Sequence, residues 1–202
     1  MNDSGAQYFD GTIDTTRTVH FGKPTPDQRL AFTRVLQGHI AIDSVIFPTG
    51  TTGFQLDILA RAPLWRDGLN YGHGTGHGIG SYLSVHEGPH GIGPSIAFNS
   101  TPLQPGMCTS NEPAYYEAGQ FGIRIETVLF VKEVETKRQF GDSQWLGFER
   151  FTTVPIQSSF VDLKLLSKVE RQWLKDHNSN VAKKLLPFLK GDKRARKYLS
   201  RQ

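Results

Sequence analysis

The 202-residue sequence has few of the features that mark secreted or membrane-spanning proteins. Cys108 is its single cysteine, so no disulfide can form within the chain, and a reducing compartment is the simplest interpretation. No stretch approaches the roughly 20 apolar residues that a membrane span requires. The N-terminal segment has neither the basic start nor the apolar core of a signal peptide. We therefore expect a cytoplasmic protein that has no membrane partner.

Most of the chain has no net positive charge, and the excess of basic residues lies at its end. The net charge is +4, but residues 183–202 hold eight basic residues against Asp192, a net +7, so the other 182 residues carry −3. A nucleic-acid-binding protein usually spreads basic residues over a folded face, with aromatic residues between them. The pattern therefore predicts no nucleic-acid partner and favours a solvated, basic helix end over an anion-docking patch. The eight residues are Lys183, Lys184, Lys190, Lys193, Arg194, Arg196, Lys197 and Arg201.

Hairpin, helix and strand signals follow one another in an order typical of an α+β fold. Residues 12–21 alternate and are rich in β-branched side chains, which predicts a strand that pairs with the residues before it. Thr25, Pro26 and Gln28 form the capping signature of a helix start. The predicted elements are this hairpin, a helix over 25–47 that buries Ile46, a helix over 52–65, Gly-rich extended segments over 71–94, strands over 107–116 and 121–134, and a last helix from Ser167 that buries Val169, Trp173, Val181 and Leu185.

Glu126 lies in the segment FGIRIETVLFV, which is apolar at nearly every position and predicts a strand buried on both faces. A carboxylate in the middle of such a strand is costly unless it is paired or bound to a cation. Arg124 lies two residues away on the same face and could supply an ion pair. The segment alone therefore leaves an internal ion pair and a metal ligand equally open.

Three further carboxylates occur where a site could form. Glu112 precedes Pro113, which ends regular strand pairing and leaves the carboxylate at a strand end. A solvated strand end is the ordinary alternative. Asp3 and Asp14 flank the turn of the predicted hairpin, and each alone is more typical of a turn or surface residue.

The segment GHGTGHGIG, residues 72–80, is the most specific pattern in the chain. Its five glycines argue against a helix, because each costs about 1 kcal/mol relative to Ala. In an extended chain the glycines share one face, which another backbone or a substrate approaches closely. His73 and His77 then lie on the other face, about 13 Å apart at roughly 3.3 Å per residue. We expect one histidine to bind metal and the other to contact substrate; a purely structural Gly-rich strand is the alternative.

Two more histidines follow in the segment SVHEGPHG. His86 is the third histidine of interest, and His90 follows it closely. Either His86 or His90 could instead be an exposed loop histidine, and that interpretation is the stronger one for His90.

Six segments, taken in order, resemble the motifs of the large eukaryotic-type Xaa-Pro aminopeptidase P family: DSGAQY, DGTIDTTRT, GHGTGHGIG, SVHEGP, NEPAYYE and FGIRIE. That family belongs to the pita-bread metallopeptidases, which also include prolidase and methionine aminopeptidase. The segment WLGFERFTTVPIQ resembles the additional C-terminal segment of the larger members. The resemblance implies a pita-bread fold, with a metallopeptidase catalytic domain over residues 1–140 and a C-terminal region over 141–202 that ends in a basic helical extension.

The resemblance also implies a pair of divalent cations. The Asp14 and Glu126 equivalents bridge both cations in the family. Asp3 then completes the ligands of one cation, and His77 with Glu112 those of the other. Four carboxylates and one imidazole suit hard to borderline cations. The family generally uses manganese, and the sequence leaves cobalt and zinc open.

The implied chemistry is hydrolysis by a hydroxide that the two cations share, at a separation of about 3.5–4 Å. Glu112 would carry the proton from this nucleophile to the leaving amine. His73 and His86 would stabilise the carbonyl oxygen of the substrate or hold the peptide. Arg124 would orient a metal ligand or bridge to Tyr116.

The function implied is that of an aminopeptidase that removes the residue preceding a penultimate proline, and homodimers are usual among the larger members. Family members carry additional N-terminal segments, so an N-terminally truncated fold is expected. A non-catalytic or regulatory remnant of the family and a prolidase-like dipeptidase are the alternatives. Ala114 stands where the family usually has Gly, and it would be strained if the backbone there needed a positive φ.

Overall fold

The computed structural model describes residues 1–82 and 84–202 and has an α+β architecture. Short strands and helices alternate, and two single-turn 3-10 helices lie in the C-terminal part. In chain order the longer elements are β1 (Asn2–Gln7), β2 (Thr12–Arg17), α1 (Pro26–Ser44), β3 (Phe47–Pro48), α2 (Gly53–Trp65), β4 (Gly76–Gly78), β5 (Glu87–Ile92), α3 (Ile96–Asn99), β6 (Cys108–Asn111), β7 (Ala114–Glu117), β8 (Phe121–Arg124), β9 (Thr127–Glu133), β10 (Trp145–Arg150), α4 (Lys168–Leu185) and α5 (Lys193–Leu199).

Within the described residues, six strands form the main sheet in the order β3-β10-β9-β6-β4-β5, and neighbouring strands pair antiparallel. The hairpin β1-β2 and the pair β7-β8 form two small separate sheets. Helices α1 and α2 pack against each other, and α2 also contacts β5. One core cluster lies between these helices and the main sheet and includes Ile42, Leu56, Leu129 and Leu146. A second core cluster joins α1 to β8 and the C-terminal part.

Helix α1 begins where its capping signature predicts. The Thr25 hydroxyl accepts from the Gln28 N–H at 3.2 Å, and the Gln28 side chain accepts from the Thr25 N–H at 2.9 Å. The helix ends at Ser44 rather than near residue 47, because Val45 takes an extended conformation and Phe47 pairs with Leu146 of β10. The predicted burial of Ile46 is wrong, since this residue is 51% exposed.

The two strands predicted over 107–116 and 121–134 are four strands. Pro113 has no N–H for the ladder, and β6 ends just before Glu112. The second break comes at Glu126, whose backbone N–H donates to the Thr16 carbonyl of β2 at 3.0 Å instead of to a strand neighbour. The prediction that Glu126 lies in the middle of a strand is therefore wrong: it lies at the junction of β8 and β9.

Helix α4 starts after Ser167, whose side chain caps the helix together with Glu170. The predicted burial of Val169 is wrong, because this side chain faces solvent. The buried stripe instead includes the polar residues His177 and Asn178, which hydrogen-bond to the backbone of Val154 and Ile156. Hydrophobic periodicity could not include these polar positions. The predicted and observed buried faces of α4 therefore share Val181 but differ at Val169.

Among the described residues, no helix combines the length and the apolar character that crossing a membrane would require.

Candidate metal centre

Asp14 and Glu126 lie where β2 packs beside the junction of β8 and β9. The Thr16 hydroxyl donates to Oε2 of Glu126 at 2.6 Å, in addition to the backbone hydrogen bond between the same two residues. Glu126 is 2% exposed and Asp14 is 7% exposed. The register of the hairpin against this junction therefore brings two buried carboxylates together.

The Gly-rich segment packs against backbone on its glycine face, as the sequence predicts. A Cβ on Gly76 would lie 2.0 Å from the Ser110 carbonyl oxygen, and one on Gly78 would lie 1.9 Å from the Glu87 carbonyl oxygen. Both distances are far inside van der Waals contact, so only glycine fits at these positions. The close packing holds β4 between β5 and β6 and fixes the position of His77.

Glu112 follows the end of β6 and is held by two hydrogen bonds. Its backbone N–H donates to the Thr75 carbonyl at 2.7 Å, and the Ser110 hydroxyl donates to its Oε1 at 2.9 Å. The same hydroxyl accepts from the His77 N–H at 3.0 Å. Ser110 therefore fixes Glu112 and His77 relative to each other.

The His77 imidazole lies between two carboxylates. Its Nε2 is 3.2 Å from Oδ2 of Asp14 and 3.1 Å from Oε1 of Glu112, while Nδ1 faces the Gly78 carbonyl at 3.0 Å. Nε2 is buried, yet within the described part of the chain it makes no contact with hydrogen-bond geometry. If Nδ1 carries the proton, the Nε2 lone pair points into the space that the carboxylate oxygens share, as a metal-ligating histidine requires.

Three overlapping groups of side chains could each hold a cation, as far as the described residues extend. In each group the candidate ligand atoms lie within 4.8 Å of one another. Glu126 belongs to two of the groups, and so do Asp14 and His77. The groups are Asp3 with Asp14 and Glu126, His77 with Glu112 and Glu126, and Asp14 with His77 and His86.

The electrostatics of the cluster favour bound cations. Burial and the nearby Glu112 and Asp14 raise the pKa of Glu126 to about 8, against the opposing effects of Thr16 and Arg124. Burial lowers the pKa of His77, but the hydrogen-bonding carboxylates of Asp14 and Glu112 outweigh this effect and raise the pKa to about 10. Without cations, Glu126 and His77 therefore both keep a proton at neutral pH. These protons offset the negative charge that bound cations would otherwise balance. Four carboxylates and one imidazole fit divalent cations of the hard to borderline class.

Arg124 pairs with Asp3 rather than with Glu126. Its Nη2 contacts Oδ2 of Asp3, and its Nε donates to the Thr16 hydroxyl at 3.0 Å. Its Nη1 donates to the Tyr116 hydroxyl at 2.9 Å. The ion pair with Glu126, which the sequence left open, is not among the contacts that the described residues make. Arg124 instead lies beside the cluster and contacts both a candidate ligand and Tyr116.

His73 lies apart from the candidate ligand groups. Its Nε2 is 2.9 Å from the Tyr116 hydroxyl; His73 is partly buried and Tyr116 is exposed. His73 and His77 share no ligand group in the described part of the chain. That only one of the two binds metal stays a prediction.

The later histidines differ from each other in burial and contacts. His86 is exposed, and its ring centroid lies 4.2 Å from that of His77. His90 is not an exposed loop histidine: it is buried in β5, and its Nε2 lies 2.7 Å from the Cys108 carbonyl. The interpretation that the sequence favoured for His90 is wrong, because β5 packs beside β4 and encloses its ring.

Sequence reasoning missed an ion pair on α2 that supports the Gly-rich segment. Nε of Arg61 lies 2.6 Å from Oδ2 of Asp57, and Arg61 also donates to the carbonyls of Tyr71 and His73, each at 2.7 Å. The Thr75 hydroxyl donates to Oδ1 of Asp57 at 2.5 Å. The only available signal was the i, i+4 spacing of an acidic and a basic residue, which is common on solvated helix faces.

Arg17 was also missed, although it lies next to Thr16. This guanidinium is buried, and burial lowers the pKa of Arg17 to about 10 despite the compensating effects of Glu126 and Tyr198. Its signal in the sequence was a charged residue within a run of β-branched residues.

Two family profiles match the chain. "Metallopeptidase family M24" covers residues 1–133, and "C-terminal region of peptidase_M24" covers residues 144–202. The protein named "Probable Xaa-Pro aminopeptidase P" from Laccaria bicolor is 56% identical over 200 residues, which cover 99% of this chain and 31% of that protein. The protein of the same name from Sclerotinia sclerotiorum is also 56% identical, over 33% of its length. The chain thus spans about a third of the length of these relatives.

Solved structures agree with the sequence matches. X-prolyl aminopeptidase from Caenorhabditis elegans, described as "a cytosolic enzyme with a di-nuclear active site", is 40% identical with a TM-score of 0.89, over 98% of this chain and 32% of that one. Prolidase from Pyrococcus furiosus is 31% identical with a TM-score of 0.59, over 73% of this chain and 39% of that one. The predicted resemblance and the predicted α+β pita-bread fold are confirmed. The chain belongs to metallopeptidase family M24, where it is similar to Xaa-Pro aminopeptidase P along its whole length.

Proposed function

We propose that the chain carries the metal centre of an Xaa-Pro aminopeptidase, which removes the N-terminal residue that precedes a penultimate proline. The observation that carries the proposal is the overlap of the candidate ligand groups. Glu126 occurs in one group with Asp3 and in another with His77, and Asp14 likewise occurs with each of these residues. Such an overlap suits two cations that share ligands. The names of the relatives support the proline preference.

In this proposal Asp14 and Glu126 would help to hold both cations. Asp3 would complete the ligands of one cation, and His77 with Glu112 those of the other. Manganese suits this donor set, although the set also accepts other divalent cations. When bound, the two cations would activate a shared water molecule as hydroxide and polarise the scissile carbonyl group.

Glu112 is the residue that we expect to move the proton. Cleavage before proline releases an amine from a tertiary amide, and this leaving group must receive a proton as it departs. The Glu112 carboxylate borders the ligand cluster, and its Oε1 is oriented by the Ser110 hydroxyl. A carboxylate oriented in this way accepts the proton of the attacking water and passes it to the prolyl nitrogen.

His73, His86 and Tyr116 form the polar border that would contact the peptide. His73 and Tyr116 hydrogen-bond to each other; Tyr116 is exposed and His73 is partly buried. We infer that His73 and His86 hold the peptide or stabilise the carbonyl oxygen. Arg124 would keep Asp3 and Tyr116 in place through its contacts with both.

Four further proposals concern the protein as a whole. We infer a catalytic domain over residues 1–140 and a C-terminal region over 141–202, supported by the two family profiles. We infer a cytosolic location, since the relative from C. elegans is described as cytosolic. Homodimerisation also stays a prediction, which light scattering of the purified chain would test. The expected substrates are peptides with proline in the second position.

The activity test is release of arginine from Arg-Pro-Pro by the purified chain, with and without manganese. We expect manganese-dependent release, none from Arg-Ala-Ala, and none with His77→Ala. Glu149→Gln removes an exposed carboxylate that contacts Lys132, and as a control it should keep full activity. Manganese binding without cleavage of any peptide would favour a non-catalytic remnant. Cleavage of the dipeptide Gly-Pro but not of Arg-Pro-Pro would favour a prolidase-like enzyme.

A further inference from the structure

Arg17 of β2 has an acceptor for each of its five N–H groups. Nε donates to the Pro155 carbonyl at 3.2 Å, and Nη1 donates to the carbonyls of Thr16, at 2.9 Å, and Glu126. Nη2 donates to the Thr127 hydroxyl at 3.3 Å and to the Val154 carbonyl at 2.9 Å. A guanidinium offers five donors in a rigid plane. No other side chain can meet all of these acceptors, and lysine, with three donors at one point, can meet only some of them.

Two of these contacts lie directly behind the proposed metal centre. The Thr16 carbonyl accepts from Arg17 and from the Glu126 N–H, while the Glu126 carbonyl also accepts from Arg17. The Thr16 hydroxyl in turn donates to the Glu126 carboxylate. The guanidinium therefore fixes the backbone on both sides of the hydrogen bond that orients this carboxylate.

The other side of the guanidinium binds the C-terminal region, residues 141–202. The Val154 carbonyl accepts from Arg17 and also, at 2.9 Å, from Nε2 of His177 on α4. Two residues further on, the N–H and the carbonyl of Ile156 both hydrogen-bond to the Asn178 side chain on the same helix. Helix α4 thus holds the Val154 carbonyl directly, and it holds the backbone of Ile156 on the far side of Pro155.

We propose that Arg17 is a positioning residue that couples the C-terminal region to the metal centre: it holds Glu126 in place from behind, and α4 holds the backbone segment whose carbonyl groups orient Arg17. This inference rests on the proposed function, because Glu126 must be a shared metal ligand for its position to matter. The C-terminal region thereby supports metal binding without contributing a ligand. Residues that orient metal ligands typically affect metal affinity about 10- to 100-fold.

The test compares Arg17→Gln and Arg17→Lys with the matched control Arg29→Gln. Arg29 also donates to a carbonyl of the C-terminal region, that of Val161 at 2.5 Å, but it lies on α1 and contacts none of the candidate ligands. Manganese affinity is measured by calorimetric titration of each chain, and circular dichroism establishes that each chain is folded. We expect Arg17→Gln to bind manganese about 10- to 100-fold more weakly than the wild-type chain. The manganese affinity of Arg17→Lys should lie between those of Arg17→Gln and the wild-type chain. That of Arg29→Gln should be within about twofold of the wild-type value.

Amide hydrogen exchange of the metal-free chains separates this inference from the proposed function. In Arg17→Gln the amide of Glu126 should exchange about tenfold faster, because the carbonyl that accepts its hydrogen bond loses a second partner. If the wild-type chain binds no manganese, the proposed function is wrong, while the exchange data still report whether Arg17 holds this backbone. Unchanged manganese affinity in a folded Arg17→Gln chain would overturn the inference, and so would an equal loss in Arg29→Gln.

His177→Gln decides the matter if Arg17→Gln does not fold. This substitution removes the imidazole that donates to the Val154 carbonyl and leaves the guanidinium in place. We expect manganese affinity to fall a few-fold and exchange of the Glu126 amide to rise. Wild-type values for both measurements in His177→Gln and Arg17→Lys would overturn the coupling.

Discussion

Two polar clusters of the described residues contain histidine, and they differ in how their charges are matched. The metal-centre cluster consists of Asp3, Asp14, His77, Glu112 and Glu126; it is partly to fully buried except at Asp3, which is exposed. The helix cluster lies between α1, α4 and β10 and consists of His39, Asp43, Arg150, Trp173 and His177. In the first cluster negative groups outnumber positive ones. In the second, one carboxylate contacts a guanidinium and an indole, and two imidazoles pack beside the indole.

The contacts of the helix cluster are complementary. Oδ1 of Asp43 accepts from Nε1 of Trp173 at 2.6 Å, and its Oδ2 lies 3.2 Å from Nε of Arg150. Nη1 of Arg150 lies 3.2 Å from Nδ1 of His177, and the guanidinium also lies over the Trp173 ring. Burial lowers the pKa of His177 to about 4 and lowers that of His39 well below its ordinary value. Both imidazoles therefore stay neutral at physiological pH.

The comparison shows which kind of buried polar cluster indicates a ligand site. Both clusters contain carboxylate and imidazole, so residue type does not separate them. In the helix cluster the charges have partners within the protein, and the described residues there form no group able to hold a metal. In the metal-centre cluster, burial together with the converging carboxylates raises the pKa of Glu126, and the carboxylates raise the pKa of His77 although burial opposes them. Unmatched charge of one sign, rather than polarity, marks the site.

The largest expected effect is that of Glu126→Gln. The pKa of Glu126 is raised in the folded chain, so the metal-free wild type loses stability as the pH rises from about 4.5 towards 8. The amide keeps an acceptor for the Thr16 hydroxyl but cannot ionise. We therefore expect the metal-free variant to be more stable than wild type at pH 8, by about 2–4 kcal/mol. Urea unfolding with EDTA present measures this.

The same variant should lose the stabilisation that manganese gives. A ligand at 100 times its dissociation constant stabilises a folded chain by about 2.7 kcal/mol per site. Manganese should therefore raise the free energy of unfolding of the wild type and leave that of Glu126→Gln unchanged. A variant that is less stable than wild type at pH 8 without metal would contradict the account of unmatched charge.

The helix cluster should lose stability as the pH falls, whereas the metal-free metal-centre cluster loses stability as the pH rises. The pKa of His177 is lowered in the folded chain. The contribution of the neutral imidazole to the free energy of unfolding is therefore complete above pH 6.5 and is lost as the pH falls towards 4. The loss amounts to about 3 kcal/mol at roughly 1.4 kcal/mol per pKa unit. Unfolding curves of wild type and His177→Gln at pH 7 and pH 4 measure it. An equal acid sensitivity of the two chains would argue against this assignment.

Asp43→Asn should destabilise the chain without affecting metal binding. The substitution leaves Arg150 without its negative partner and weakens the hydrogen bond from Trp173, at a cost of about 1–3 kcal/mol. Thermal unfolding measures the loss, and calorimetric titration should give wild-type manganese affinity. A tenfold change in affinity would mean that the contacts of Asp43, and not only the contact of His177 with Val154, affect the metal centre.

Glu149→Gln should have the smallest effect. Glu149 contacts Lys132 on the surface, where both side chains are about half exposed or more. Exposed pairs of this kind contribute up to about 1 kcal/mol and often nothing measurable. We expect a change in unfolding free energy within about 0.5 kcal/mol, measured in urea at low and at high salt. A larger change would mean that surface charge matters more than the comparison of the buried clusters implies.

Local signals in the sequence predicted the elements whose cause is local. The start of α1 follows from Thr25, Pro26 and Gln28, whose contacts lie within one turn. The close backbone approach at Gly76 and Gly78 follows from the absence of side chains. The resemblance of the motifs to a known family supplied the set of candidate ligands, and the structure brings those residues together.

Other features depend on contacts between distant residues, and sequence reasoning missed them. The break at Glu126 arises because its N–H binds Thr16, which is far away along the chain. Val169 was expected to be buried because the periodicity of apolar residues does not include His177, whose partner is a carbonyl of another segment. Arg17 gave only a weak signal, because its five acceptors come from several segments.

The central claim is that two cations share Asp14 and Glu126, and counting bound manganese tests it most directly. Calorimetric titration should give two ions per wild-type chain. Asp3→Asn should lose one ion, because Asp3 occurs in a single ligand group, whereas Glu126→Gln should lose both. A single ion in the wild-type chain, or a Glu126→Gln chain that still binds one ion at wild-type affinity, would contradict the claim.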